Sequence, residues 1–241
     1  MRLLGLLGNT KTANIVVEAI PSNPKGDGEP AISFIRRALE SKMHVASANK
    51  SPLAHREEDG ETYWKLQRLA SRNKVTYGHE SAVMDGVPIF SLWKRALPRA
   101  KLISLRGCLN STTTAILTRM EGDPDADSNG AGESFEEALD TARRMGIVEE
   151  DEGLDVDGHD AAAKLRALLV CCGDGEARVP AMEEIPKDSI RGVAREDIRR
   201  AHSNGRRKYR LVASAELADV RPADGERRNP GATKRWEASV R

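Results

Sequence analysis

The strongest constraint on this fold is a pair of short apolar runs separated by one amphipathic segment. Asn14–Ile20 reads NIVVEAI, nearly continuous in apolar residues. A run of this kind, without polar alternation, predicts a strand covered on both faces, as in a parallel sheet. After the Pro/Gly-rich loop PSNPKGDGEP, Pro30 can open a helix at its first turn. Ile32, Ile35 and Leu39 then recur at helical spacing in AISFIRRALESK. HVASA follows as a second strand and ends at Asn49–Lys50, ahead of Pro52. Tyr63, Trp64, Leu66, Leu69 and Ala70 mark another helix, and Lys74–Tyr77 a third strand. Strand and helix alternating in this way predict a doubly wound α/β sheet.

The pattern shifts after Gly78. Val87–Leu97 reads as a helix, Lys101–Gly107 as a strand and Thr112–Met120 as a helix. Gly122–Gly132 is a polar loop. Ser134 is placed to cap a helix running to Met145, with Glu137 three residues on completing a capping box. Arg207–Glu216 reads as a late strand. Beyond Val220, RPADGERRNPGATKRWEASVR shows no period and many charges, which predicts an irregular tail over 221–241. The expected organisation is a nucleotide-binding unit over 1–77, a second domain over 78–220 and that tail.

Net charge over the 241 residues is +1, so no basic footprint for nucleic acid stands out. Cys108, Cys171 and Cys172 lack metal-ligand spacing, and the adjacent pair falls in an apolar helical run. Buried thiols in a reducing, cytoplasmic compartment are the simplest reading. No stretch is long enough to span a bilayer, and the opening MRLLGLLGN is too short for a secretory signal.

The segment 146-GIVEEDEGLDVDGHDAAAKL-165 gathers acidic residues around a single lysine. From Asp160 onward it reads as a helix, so Asp160 and Lys164 share a face one turn apart. Glu149 and Asp155 lie in the irregular stretch before it. On spacing alone, an acidic run with a lysine at i+4 is most often a solvated helix face. The same groups, if they converge, can bind an ammonium with carboxylates and offer one ammonium as a proton donor.

Three segments occur in order: 14-NIVVEAIPSN-23 with 44-HVASANKSPLA-54, then 80-ESAVMDGVPIFSLWKRAL-97 leading into 107-GCLNSTTTAIL-117, and the acidic segment. Together they resemble the homoserine dehydrogenase family over roughly 14–217. The resemblance implies α/β architecture, with an incomplete Rossmann-type nucleotide-binding domain followed by an α+β catalytic and dimerisation domain. It implies interconversion of L-homoserine and L-aspartate 4-semialdehyde, in threonine, methionine and isoleucine biosynthesis, with NADP or NAD. It also implies a homodimer and a cytoplasmic location, without nucleic-acid or membrane partners. By motif, Lys50 matches the lysine beside the nicotinamide and the reacting carbonyl. Glu149 matches the carboxylate that holds the substrate's amino group. Asp155 and Asp160 match the acidic pair around the substrate hydroxyl and the lysine, and Lys164 matches the proton donor and acceptor. Which lysine transfers the proton is left open.

Those residue types suit the chemistry. Negative charge grows on the carbonyl oxygen as hydride adds, and a positioned ammonium stabilises it and supplies a proton. Glu80, Val83, Asp85 and Val87 fall where the resemblance places a loop for Na+ or K+, bound mainly through backbone carbonyls. Met84 and Asp85 stand there in place of small residues, and a plain strand-to-helix loop without metal fits equally. Ser22 follows the first strand, where ligands bind in parallel sheets; a loop-capping serine is the other reading. His79 and His159 have no second ligand at metal spacing and are incidental. No G-x-G-x-x-G occurs, since Gly5 and Gly8 have the wrong spacing. The amino-terminal phosphate-binding unit is therefore expected to be absent and NAD(P)H binding by these residues alone to be weak. A catalytically inactive remnant that keeps the substrate site or dimerisation surface is the alternative function.

Overall fold

The computed structural model describes residues 14–22, 27–58, 60–122, 132–148, 151–205, 207–219 and 234–241. In chain order the elements used below are β1 (Ile15–Glu18), α1 (Ala31–Glu40), β2 (His44–Ser47), α2 (Ser51–Ala54), α3 (Thr62–Asn73), β3 (Tyr77–Gly78), β4 (Ser104–Gly107), α4 (Ser111–Glu121), α5 (Phe135–Arg144), α6 (Gly153–Val156), α7 (His159–Cys172), α8 (Arg195–Ser203), β5 (Ala213–Asp219) and β6 (Lys234–Val240). They form two compact units. One comprises the chain up to Ile103 with Ala163–Met182 and Leu217–Glu237; the other comprises Ser104–Ala162, Glu183–Glu216 and Ala238–Arg241. The division is discontinuous, unlike a single cut after residue 77, because the chain returns to the first unit through α7 and again near its end.

The first unit holds a parallel sheet of order β1–β2–β3, with Ile15 opposite His44, Glu18 opposite Ser47 and Val45 opposite Tyr77. Helix α1 turns Ala31, Ile32, Ile35, Ala38 and Leu39 inward, and α3 buries Tyr63, Leu66 and Ala70. Each large apolar side chain so buried contributes about 1.5–3 kcal/mol. The expected two-sided burial of the first strand is corrected: Ile15 is 60% and Val17 75% exposed. Successive strand residues face opposite sides, and the described residues cover one side alone. The third strand is also shorter than Lys74–Tyr77. Lys74 adopts a left-handed conformation (φ 57°) that ends α3, so pairing begins only at Tyr77.

A fully buried arginine ties this unit together. Arg166 is 1% exposed. Its guanidinium donates to the carbonyls of Pro180 (2.9 Å) and Ala54 (2.6 Å) and to both carboxylate oxygens of Glu61 (2.8 and 3.0 Å). Arg56 also pairs with Glu61, at 2.6 Å.

The second sheet has order β4–β5–β6, with β4 and β5 antiparallel from Ser104 opposite Glu216 to Gly107 opposite Ala213. The late strand is thus Ala213–Asp219, displaced from the expected 207–216. The irregular reading of 221–241 is corrected for its last part, since Lys234–Val240 is a strand that buries Trp236 and Val240. Residues 220–233 lie outside the described residues, as do 123–131 of the expected polar loop. Helix α5 carries the expected capping box: Ser134 Oγ accepts from Glu137 N–H, and Glu137 accepts from Ser134 N–H at 2.7 Å. The expected 87–97 helix is reduced to Ile89–Ser91 followed by a π-helical turn, Leu92–Ala96.

Candidate active site

Two buried aspartates define the acidic centre. Asp155 is 2% and Asp160 1% exposed. Asp160 lies in the first turn of α7, where the helix dipole favours a carboxylate. Asp155 was expected in irregular chain; it belongs to the one-turn helix α6 instead. Between the two sits Asn110, which is 3% exposed. Its side-chain amide donates to Asp155 Oδ1 at 2.7 Å and to Asp160 Oδ2 at 2.9 Å. Its carbonyl oxygen accepts from Thr113 N–H at 2.7 Å, which caps α4. Two adjacent buried carboxylates repel each other in a medium of low dielectric, and a shared pair of N–H donors offsets that repulsion. Thr112 Oγ donates to the carbonyl of Ile147 at 2.8 Å. This contact fixes the chain two residues before Glu149, which itself lies outside the described residues.

Lys164 follows Asp160 by one turn of α7 and is half-buried. Asp160 and Lys164 thus lie on the helix expected for them, whereas Asp155 lies in a helical turn where irregular chain was expected. No role was expected for Asn110 or Thr112; the helix was expected to begin at Thr112, and the cap at Asn110 just before it was missed.

In the first unit, Lys50 is buried and stands at the amino end of α2. Its neighbour Asn49 accepts from Ser22 Oγ at 2.7 Å and from Ser51 N–H at 3.0 Å. Asn49 also donates to Glu18, whose other oxygen accepts from Ser47 Oγ at 2.5 Å. This network closes the carboxyl ends of β1 and β2, the place where open parallel sheets receive ligands. A cavity of about 470 Å³ beside it is lined by Glu18, Ser47, Gly78, His79 and Lys94. His79 packs edge-on against Tyr63 at 5.1 Å and tilted against Phe90 at 4.8 Å. Burial, with the Lys94 ammonium nearby, pushes its pKa down to about 4, so it is a neutral core aromatic at neutral pH.

In the 80–87 loop, Glu80 turns its carboxylate onto Phe90 N–H at 2.9 Å and onto the N–H and hydroxyl of Ser91 at 3.1 and 2.5 Å. Met84 and Asp85 both have positive φ, 61° and 52°. A left-handed backbone is the conformation that glycine adopts most readily. The Val87 carbonyl accepts from Ile89 N–H at 2.8 Å. Among the described residues no group of three His, Cys, Asp or Glu side chains is placed to hold a metal. Backbone carbonyls are the donors this loop offers.

Burial raises the Glu80 carboxyl, but the Ser91 and Phe90 hydrogen bonds outweigh it and hold the group below the usual range. A carboxylate with a lowered folded-state pKa adds stability above its unfolded pKa, which is lost as pH falls through the folded value. Glu80→Ala is therefore expected to cost about 1 kcal/mol at pH 7, a cap-sized loss moderated by solvent screening. The cost should fade towards about pH 3, below the ordinary carboxyl range. Urea unfolding of both proteins at the two pH values checks this; an equal difference at both would contradict it.

A family model described as homoserine dehydrogenase matches residues 88–239. The match runs past residue 217, the expected end of the resemblance. An NAD(+)-dependent homoserine dehydrogenase of Pseudomonas canavaninivorans is 36% identical over 88% of this chain and 54% of its own length. The crystal structure of a homoserine dehydrogenase from Thiobacillus denitrificans superposes with a TM-score of 0.68 at 26% identity, covering 94% of this chain and 45% of that one. A hyperthermophilic archaeal homoserine dehydrogenase in complex with NADPH gives 0.65 at 26% identity, with 98% and 57% covered. The chain spans about half the length of the curated relatives it matches.

Proposed function

The chain belongs to the homoserine dehydrogenase family, and from that membership we propose that it serves the interconversion of L-homoserine and L-aspartate 4-semialdehyde with NADP or NAD. The observation that carries the reading is the buried Asp155–Asn110–Asp160 arrangement with Lys164 one turn further along α7. A solvated helix face would not bury two carboxylates and tie them to one amide.

The nicotinamide supplies or accepts the hydride when bound. Lys50 and Ser22, at the strand ends, are the residues proposed to face it. The protein's own part is positioning and proton transfer. Glu149 holds the substrate ammonium. Asp155 and Asp160 orient the hydroxyl and the lysine. In the reductive direction, a lysine ammonium gives its proton to the carbonyl oxygen as charge develops there, and the neutral amine is reprotonated from solvent. A free lysine, with pKa about 10.4, is a good acid and a poor base at neutral pH, so the oxidative direction gains from higher pH. Lys164 is the proposed donor, with Lys50 beside the same carbonyl.

A monovalent cation, Na+ or K+, would be held by the backbone carbonyls of Glu80, Val83, Asp85 and Val87, and would order that loop. The reading extends to a homodimer and to a reducing cytoplasm, the latter in keeping with Cys171 and Cys172, which are buried free thiols. Its place is in the biosynthesis of threonine, methionine and isoleucine.

Glu149→Gln is the test of substrate class. Charge-assisted contacts contribute roughly 1.5–3 kcal/mol, so L-homoserine affinity should fall about tenfold or more while NADPH affinity is unchanged. Titration calorimetry with each ligand, on this chain joined to the remaining portion of the Pseudomonas canavaninivorans relative, reads both. Equal losses for the two ligands would contradict the assignment.

A further inference from the structure

We infer that Asn110 is a positioning residue that makes the acidic pair selective for a substrate hydroxyl. The inference rests on the proposed reading that Asp155 and Asp160 face that hydroxyl.

The geometry is specific to an asparagine. Its carbonyl oxygen is committed to Thr113 N–H at 2.7 Å. An amide has one acceptor oxygen and one NH2 group, so the cap fixes which end faces the aspartates. The NH2 group then sends one hydrogen to each carboxylate, at 2.7 and 2.9 Å. One oxygen of each aspartate is thereby fixed, and with it the plane of both groups. A carboxylate held in one plane accepts an O–H from a defined direction, whereas a swinging one accepts from many and discriminates little. The cap ties this orientation to α4. The anchor is further stiffened by Thr113 Oγ and Thr114 Oγ, which donate to the Asn110 backbone carbonyl at 3.1 and 2.9 Å. The same helix start holds the Ile147 carbonyl through Thr112. One stretch of chain, 110-NSTTT-114, therefore sets the acid pair and holds the Ile147 carbonyl.

Asn110→Ser separates the two duties of the side chain. Serine is as good a helix cap as asparagine, but it is too short to reach both carboxylates and has a single O–H to donate. Asn110→Asp keeps size and cap acceptor while removing the NH2 donors; it serves as the second variant should the serine form not fold. The readout is the affinity ratio between L-homoserine and L-2-aminobutyrate, measured by calorimetry on the full chain. These ligands share ammonium and carboxylate and differ only in the hydroxyl. A site built to bond a hydroxyl rejects the analogue without it. The parent should prefer homoserine by at least about tenfold, and the variants should reduce that preference to within about twofold. A merely structural role would weaken both ligands alike and leave the ratio intact. A parent preference that survives in the folded variants overturns the role of Asn110 and leaves the substrate assignment standing. A parent that binds neither ligand, or both equally, overturns the substrate assignment and this inference with it.

Discussion

Replacing Arg166 with alanine is expected to destabilise the protein by about 3–5 kcal/mol, the usual loss when one partner of a buried ion pair is removed. The guanidinium is enclosed, and four hydrogen bonds leave it for Pro180, Ala54 and Glu61. Truncation opens a cavity and strands two carbonyls that have lost their donor. Glu61 suffers less, because Arg56 still pairs with it at 2.6 Å. Arg166→Met fills most of the space without the donors and should cost clearly less than the alanine form. Urea unfolding of the three proteins orders them parent, methionine, alanine. A difference below about 1 kcal/mol for Arg166→Ala, the scale of an exposed pair, would contradict the enclosed role.

The second large effect is catalytic. Lys164→Ala should lower kcat for reduction of aspartate 4-semialdehyde by about 10²-fold or more, with a much smaller change in KM. General acid catalysis contributes on that scale, and a group acting mainly in the transition state shows in kcat. The assay is run on this chain joined to the remaining portion of the Pseudomonas canavaninivorans relative. A kcat within about threefold of the parent would assign the proton transfer elsewhere, with Lys50 the next residue to replace.

The parts of the site that were legible in the sequence are those whose signal is local. Asp160 and Lys164 are one helical turn apart, and an apolar run downstream declares the helix. Ser134 and Glu137 announce their capping box within four residues. Asn110 went unread, because the helix was expected to begin only at Thr112 and nothing local marked the asparagine's side-chain partners. Its acceptors lie 45 and 50 residues away, and no periodicity links positions that far apart. Arg166 was hidden for the same reason, its partner Glu61 being 105 residues distant.

The fold shows the same division. The order β1, α1, β2, α3, β3 followed from apolar spacing. The exposure of Ile15 and Val17 did not, because a run of apolar residues reports what a strand can bury and not what lies against it. Strand β6 did carry a signal: Trp236, Ala238 and Val240 alternate with polar neighbours in KRWEASV. That short alternation was outweighed by the charged, aperiodic residues before it. Lys74 ended α3 in a left-handed turn, a conformation that lysine does not advertise.

The measurement that bears most directly on the proposed activity follows NADH oxidation by the joined protein and identifies the product. With aspartate 4-semialdehyde present, one L-homoserine should form for each NADH consumed, and Asp155→Asn and Asp160→Asn should each suppress the rate. Saturable NADH binding with no reduction of the semialdehyde, or an undiminished rate in both aspartate variants, would contradict the account.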